Sequence, residues 1–220
     1  MMNPPDALRA RILAAAAHAP SPTRREGQRS ALVLVAVSIA IAAIGFELVG
    51  GFAHSAQRPL GITLAMSSGW MGAAALLTWL VLARGGSTLS RRPAWLGAAA
   101  LLAPLALLVW MRLFYSTYAE PYERVGYRCL GFTLVVAATP LAAFLRFRRG
   151  IEPRRPSVLG AAAGAACGAW AGVLVDLWCP LTAPAHALVG HVLPLVLLIG
   201  VGALLGHRLL GVRGKLTADS

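Results

Sequence analysis

Two cysteines and two histidines in the second half of this 220-residue chain carry the side chains best suited to chemistry. Cys129 and Cys179 supply thiols, and His186 and His191 follow the second of them at intervals of seven and five more residues. Thiolate plus imidazole is a soft-metal ligand set. Two thiols held at one height in an oxidising compartment such as a bacterial periplasm make a disulfide or a redox switch. The spacing matches no standard zinc motif, so the four are weak metal candidates, and Cys129 and Cys179 are the stronger redox candidates. The third cysteine, Cys167, falls inside an apolar run, where a small apolar side chain is its ordinary role. A second group is ionic: Glu47, Arg112 and Asp176 interrupt otherwise apolar stretches. An unpaired charge at that depth costs a few kcal/mol, which points to mutual pairing around Arg112, with a proton or ion pathway as the rival.

Catalytic patterns are missing. There is no Ser-His-Asp set, no His-Glu-x-x-His, no phosphate-cradling glycine loop before a helix and no Cys-x-x-Cys pair. The expectation is a protein that is not an enzyme and needs no cofactor.

The elements that must position these residues are six apolar stretches: Ala31 to Gly51, Ile62 to Ala83, Ala94 to Phe114, Cys129 to Leu145, Val158 to Leu177 and Ala187 to Gly206. Each approaches the roughly 20 residues that cross a hydrocarbon core. The chain is 58% hydrophobic and only 13% charged, with the charges pushed into the gaps. Lipid offers backbone amides no partners, and continuous apolar runs without strict alternation select helices over barrel strands. The predicted fold is all-α, a six-transmembrane-helix bundle over residues 31–206. A cytosolic segment, 1–30, precedes it and a short tail, 207–220, follows.

Basic residues orient the bundle. Threaded alternately, one side receives Arg9, Arg11, Arg24, Arg25 and Arg29, then the Arg84 to Arg92 and Arg146 to Arg155 connections, then Arg208, Arg213 and Lys215. The other receives only Arg58, Arg112, Arg124 and Arg128. By the positive-inside rule both termini are cytoplasmic. The net charge of +12 is then a topology signal and a grip on anionic lipid, not a sign of direct nucleic-acid binding. The same threading sets Cys129 and Cys179 at the outer boundary. Trp110, Trp178 and the tyrosines between Tyr115 and Tyr127 fall at that interface too, as an aromatic belt or a ligand-facing loop.

Within the N-terminal segment, Leu8 and Ile12 line one face of a short helix while Arg9 and Arg11 lie off it. Such a helix serves as a membrane-surface anchor or as a docking helix for a cytosolic partner. The fifth stretch carries Gly160, Gly164, Gly168 and Gly172, a small-residue face that lets another backbone approach closely. It could serve the internal bundle, against Gly200, Gly202 and Gly206, or a homo-oligomer.

The second half of the chain resembles the NrsF-type membrane anti-sigma factors, which hold an extracytoplasmic-function (ECF) sigma factor inactive. The residues that carry the resemblance are Arg128-Cys129-Leu130, the arginine-rich connection from Arg146 to Arg155, Gly160 to Gly164, Leu177-Trp178-Cys179-Pro180 and Gly202 to Leu210. The resemblance implies a multi-pass protein of the bacterial inner membrane with a sigma-factor partner and two periplasm-facing cysteines used in stress sensing. The chain departs from the pattern around Cys179, where Trp178 precedes and Leu181 follows Pro180 instead of an acidic residue and a histidine. The competing expectation is a small transporter or channel component built on Glu47, Arg112 and Asp176.

Overall fold

The computed structural model describes residues 24–51, 58–82, 93–115, 124–149 and 154–211. Six helices account for nearly all of them: α1 Arg24–Leu48, α2 Leu60–Leu82, α3 Pro93–Phe114, α4 Tyr127–Phe147, α5 Pro156–Trp178 and α6 Pro184–Leu209. The all-α class is the one expected. Helices α2 to α6 are long and apolar enough to cross a membrane, whereas α1 carries a shorter apolar run, Ala36–Leu48. Helices α3, α5 and α6 each begin on a proline, whose fixed φ suits the first helical turn and whose missing N–H has no partner there in any case. Helix α1 stops at two glycines with positive φ, Gly50 at 102° and Gly51 at 53°, a conformation that side chains disfavour.

Helix α5 is the centre of the bundle. Of its most apolar window 72% is buried, and it touches every other helix. Its sequence explains this, because one face is almost free of side chains. A Cβ added to Gly160 would meet the Gly202 carbonyl oxygen, one on Gly164 the Leu198 carbonyl, and one on Gly202 the Gly160 carbonyl. The backbones of α5 and α6 therefore lie in direct contact, the arrangement small residues permit between helices in lipid. Gly168 packs on Leu195 and Leu198, and Gly172 receives the Trp70 ring of α2. The glycine face is thus consumed inside the chain, which corrects the homo-oligomer reading of Gly160, Gly164, Gly168 and Gly172. Gly200, by contrast, has nothing within 4 Å of an added Cβ.

Large apolar side chains, among them Leu64, Trp79, Leu101, Val135 and Leu204, face outward. An apolar outer surface over long helices suits lipid. Two indoles stitch the inside: Trp110 of α3 donates to the Ala65 and Met66 carbonyls of α2 at 3.2 Å, and Trp178 donates to Val49 at 2.8 Å.

Replacing Gly164 by valine should force the α5 and α6 backbones apart, an overpacking cost of about 1–3 kcal/mol or more. Thermal unfolding in detergent should show a lowered midpoint for Gly164→Val and an unchanged one for Gly200→Ala. Equal midpoints for the two variants would contradict this packing.

Candidate functional site

Cys129 stands in the first turn of α4, Cys179 directly after α5, and His186 and His191 in the first turns of α6. All four are buried, and their ligand atoms lie within 4.8 Å of one another. Three local features bring them together. Pro180 ends α5 just beyond Cys179, since it cannot donate a helical hydrogen bond. Glycines at 126 and 190 let the start of α4 touch α6, so that a Cβ on Gly190 would lie 3.0 Å from the Cys129 Cβ. Finally, α6 widens into a π-helical turn at Leu188–Val192, where Leu193 donates to the Leu188 carbonyl. Pro194 explains the widening: it lacks an N–H, and its ring crowds the carbonyl of Gly190. Turns of this kind recur at functional sites, and this one contains His191.

His186 organises the thiols. Its Nδ1 lies 2.7 Å from the Arg124 carbonyl oxygen, a contact that makes Nδ1 the protonated donor and leaves Nε2 as a lone pair. That Nε2 is 3.2 Å from the Cys179 Sγ and 3.5 Å from the Cys129 Sγ. The hydrogen bond from the Cys129 thiol, opposed by burial, holds the Cys179 thiol well below its ordinary pKa. Cys179 is thus the more readily ionised of the two thiols, and the thiolate is the reactive form of cysteine. His191 is 2% exposed, and neither of its ring nitrogens has a hydrogen-bond partner. Its ring stacks obliquely between His186, at 5.4 Å, and Trp70, at 6.3 Å. A cavity of about 70 Å³ lies against Cys129, Cys179 and His186, with the exposed Arg124 and Arg128 at its rim.

The ionic residues assemble differently from expectation. Asp176 pairs with Arg58, at 3.2 Å, with both side chains fully buried. Arg58 also donates to Thr63 Oγ1, to Asp176 Oδ1 and, at 2.8 Å, to the Asp176 backbone carbonyl. Ser67 donates to the other carboxylate oxygen at 2.5 Å. The carbonyl contact has a simple origin. Asp176 O would ordinarily accept from the N–H four residues on, and that residue is Pro180. Arg58 therefore caps α5 from outside the helix while neutralising its buried carboxylate.

Arg112, expected at the centre of the charge cluster, instead points outward from α3 with its guanidinium 5.0 Å from the centroid of the Tyr115 ring. Glu47 is exposed at the end of α1. Glu47, Arg112 and Asp176 do not meet, because Arg58 enters the bundle immediately before α2 and takes the position beside Asp176. Arg58, Ser67 and Thr63 are the residues the sequence reading missed. Leu8, Arg9, Arg11 and Ile12, the expected partner-binding residues, lie outside the described residues.

Removing one member of a buried ion pair leaves an uncompensated charge, which costs about 3–5 kcal/mol. Arg58→Ala should lower the unfolding midpoint accordingly, and adding Asp176→Asn should restore part of the loss. A double variant as unstable as Arg58→Ala would show that the carboxylate is not what Arg58 compensates.

No curated protein and no solved structure matches this sequence. Over residues 13–211, however, it matches the profile of the NrsF family, described as negative regulator of sigma F. The match spans both halves of the bundle and every residue of the thiol and imidazole cluster. The chain belongs to the NrsF family of negative regulators of a sigma factor.

Proposed function

We infer that this protein is a membrane-bound anti-sigma factor. It crosses the bacterial inner membrane six times with both termini in the cytoplasm, holds an ECF sigma factor there, and releases it on a redox or metal signal registered at Cys129 and Cys179. The observation that carries this reading is the meeting of both thiols on one imidazole nitrogen, at 3.2 and 3.5 Å. That meeting lies at the end of the bundle opposite the arginine-rich 146–155 connection, because α4 and α5 each run its full length between the two. Family membership supplies the sigma-factor partner, and the basic residues of the N-terminal tail and inner connections supply the orientation.

Oxidation is chemically simple here. The Cys179 thiolate attacks a peroxide oxygen, hydroxide leaves, and the Cys129 thiol displaces the sulfenic oxygen as a second hydroxide. The two thiol protons complete two waters, and one S–S bond replaces two S–H bonds. A disulfide needs its sulfurs about 2.05 Å apart, so its formation draws the start of α4 towards the end of α5. That shift biases the bundle between two packings and changes how residues 5–30, with Leu8, Arg9, Arg11 and Ile12, and the 146–155 connection present themselves to the sigma factor.

Replacing Cys129 and Cys179 together by serine should alter induction of the sigma factor's regulon under oxidant or metal challenge. An unchanged response would remove the pair from the mechanism. Deleting residues 1–28 should free the sigma factor from the membrane fraction; retention that persisted would shift the contact to the internal cytosolic connections.

A further inference from the structure

We propose that Cys129, Cys179, His186 and His191 together form a tetrahedral site for a single thiophilic divalent cation, with the chemistry of Zn²⁺. The redox use of the two cysteines does not require His191, and its ring contacts with Trp70 and His186 leave both of its nitrogens unsatisfied. An imidazole that is 2% exposed with both nitrogens unpartnered is costly to bury. A metal bond to one nitrogen removes that cost, and the ring already sits within 4.8 Å of the other three ligand atoms.

The ligand set fits the ion. Two thiolates and two neutral imidazoles are a standard donor set for tetrahedral zinc, whose bonds of about 2.3 Å to sulfur and 2.0–2.1 Å to nitrogen imply ligand-to-ligand edges of roughly 3.3–3.8 Å. The edges from His186 Nε2 to Cys179 and Cys129, 3.2 and 3.5 Å, already have that length. The widest separation, 4.8 Å at most, must close by about 1 Å. The second shell is in place as well: the Arg124 carbonyl fixes His186 in the tautomer that leaves Nε2 free to ligate. Charge also balances. Two S–H bonds break, two protons leave through the cavity, and two thiolates cancel the 2+ ion, so the buried site stays neutral beside the self-compensated Arg58 and Asp176 pair.

Binding would tie three segments to one point: the start of α4, the end of α5 and the π turn of α6. The ion thereby acts on the same helix ends as a disulfide but includes α6, which a disulfide does not hold. This makes the site a cation receptor that deepens the sensing reading proposed above, although binding itself does not depend on a sigma factor.

The test uses the full-length protein in nanodiscs under reducing conditions, titrated with Co²⁺ and then with Zn²⁺. One equivalent of Co²⁺ should give the intense visible bands of a tetrahedral ion together with thiolate charge-transfer absorption, release two protons, and be displaced by one Zn²⁺. His191→Gln should weaken binding at least about 100-fold, the upper end of what even an outer-shell partner costs, and Cys179→Ser should abolish the charge-transfer band. Cys167→Ser, outside the cluster, should change neither. Far-UV circular dichroism identifies variants that fail to fold, and for those His186→Gln replaces His191→Gln. Absence of stoichiometric binding to the unaltered protein, a pale octahedral spectrum, or full affinity in a folded histidine variant would overturn the proposal. Sigma-factor retention, measured on the same nanodiscs without metal, reports separately on the anti-sigma reading.

Discussion

The contact between Arg58 and the end of α5 is the constraint on which the arrangement of the site depends. One guanidinium satisfies a buried carboxylate and also the carbonyl that Pro180 leaves without a helical donor. A buried ion pair adds little net stability over an apolar alternative, because desolvation offsets its attraction. It specifies geometry instead: Arg58, anchored by Thr63 on α2, admits one position for Asp176, and Cys179 follows three residues later on the same chain. Without that cap the last turn of α5 would have a free carbonyl, an unpaired charge and no fixed direction for its thiol.

The other end of α5 is fixed by a different force. Gly160, Gly164 and Gly202 bring two backbones into contact, so α5 and α6 are packed as one unit along their length. A displacement at the thiol cluster is then carried along α5, roughly 35 Å for 23 residues, instead of being absorbed by loosely packed side chains. Helix α1, which packs chiefly on α4 and meets α5 only lightly, is less firmly held. It leads directly into the N-terminal segment. The bundle thus joins a rigid core that ends in reactive side chains to a peripheral helix that ends in the expected partner-binding region.

Much of this was legible in the residues. Five apolar stretches match helix ends to within about one turn, because backbone satisfaction in lipid leaves few choices; α1 alone begins earlier, at Arg24. The types of the clustered residues are legible too: Cys129, Cys179, His186 and His191 stand out in the sequence as thiols and imidazoles. Their convergence was not, since it depends on a π turn imposed by Pro194 and on the Gly126 and Gly190 approach, neither of which has a periodicity. In the sequence Arg58 has the look of a loop cation, because it precedes the apolar run of α2. The signal that could have found it is the Asp176 to Pro180 spacing, which leaves a helical carbonyl in need of an external donor. The glycine spacing marks a packing surface in the sequence, but its partner within the chain is set only by the fold.

On the function proposed above, the state of the thiol cluster controls the hold on a sigma factor at the opposite end of the bundle. The most direct measurement reconstitutes the protein in nanodiscs with its sigma factor and compares the bound fraction when Cys129 and Cys179 are reduced with that when they are joined by a disulfide. The account predicts retention in the reduced form and release in the oxidised one, reversed by a thiol reductant. Equal retention in both states would contradict it.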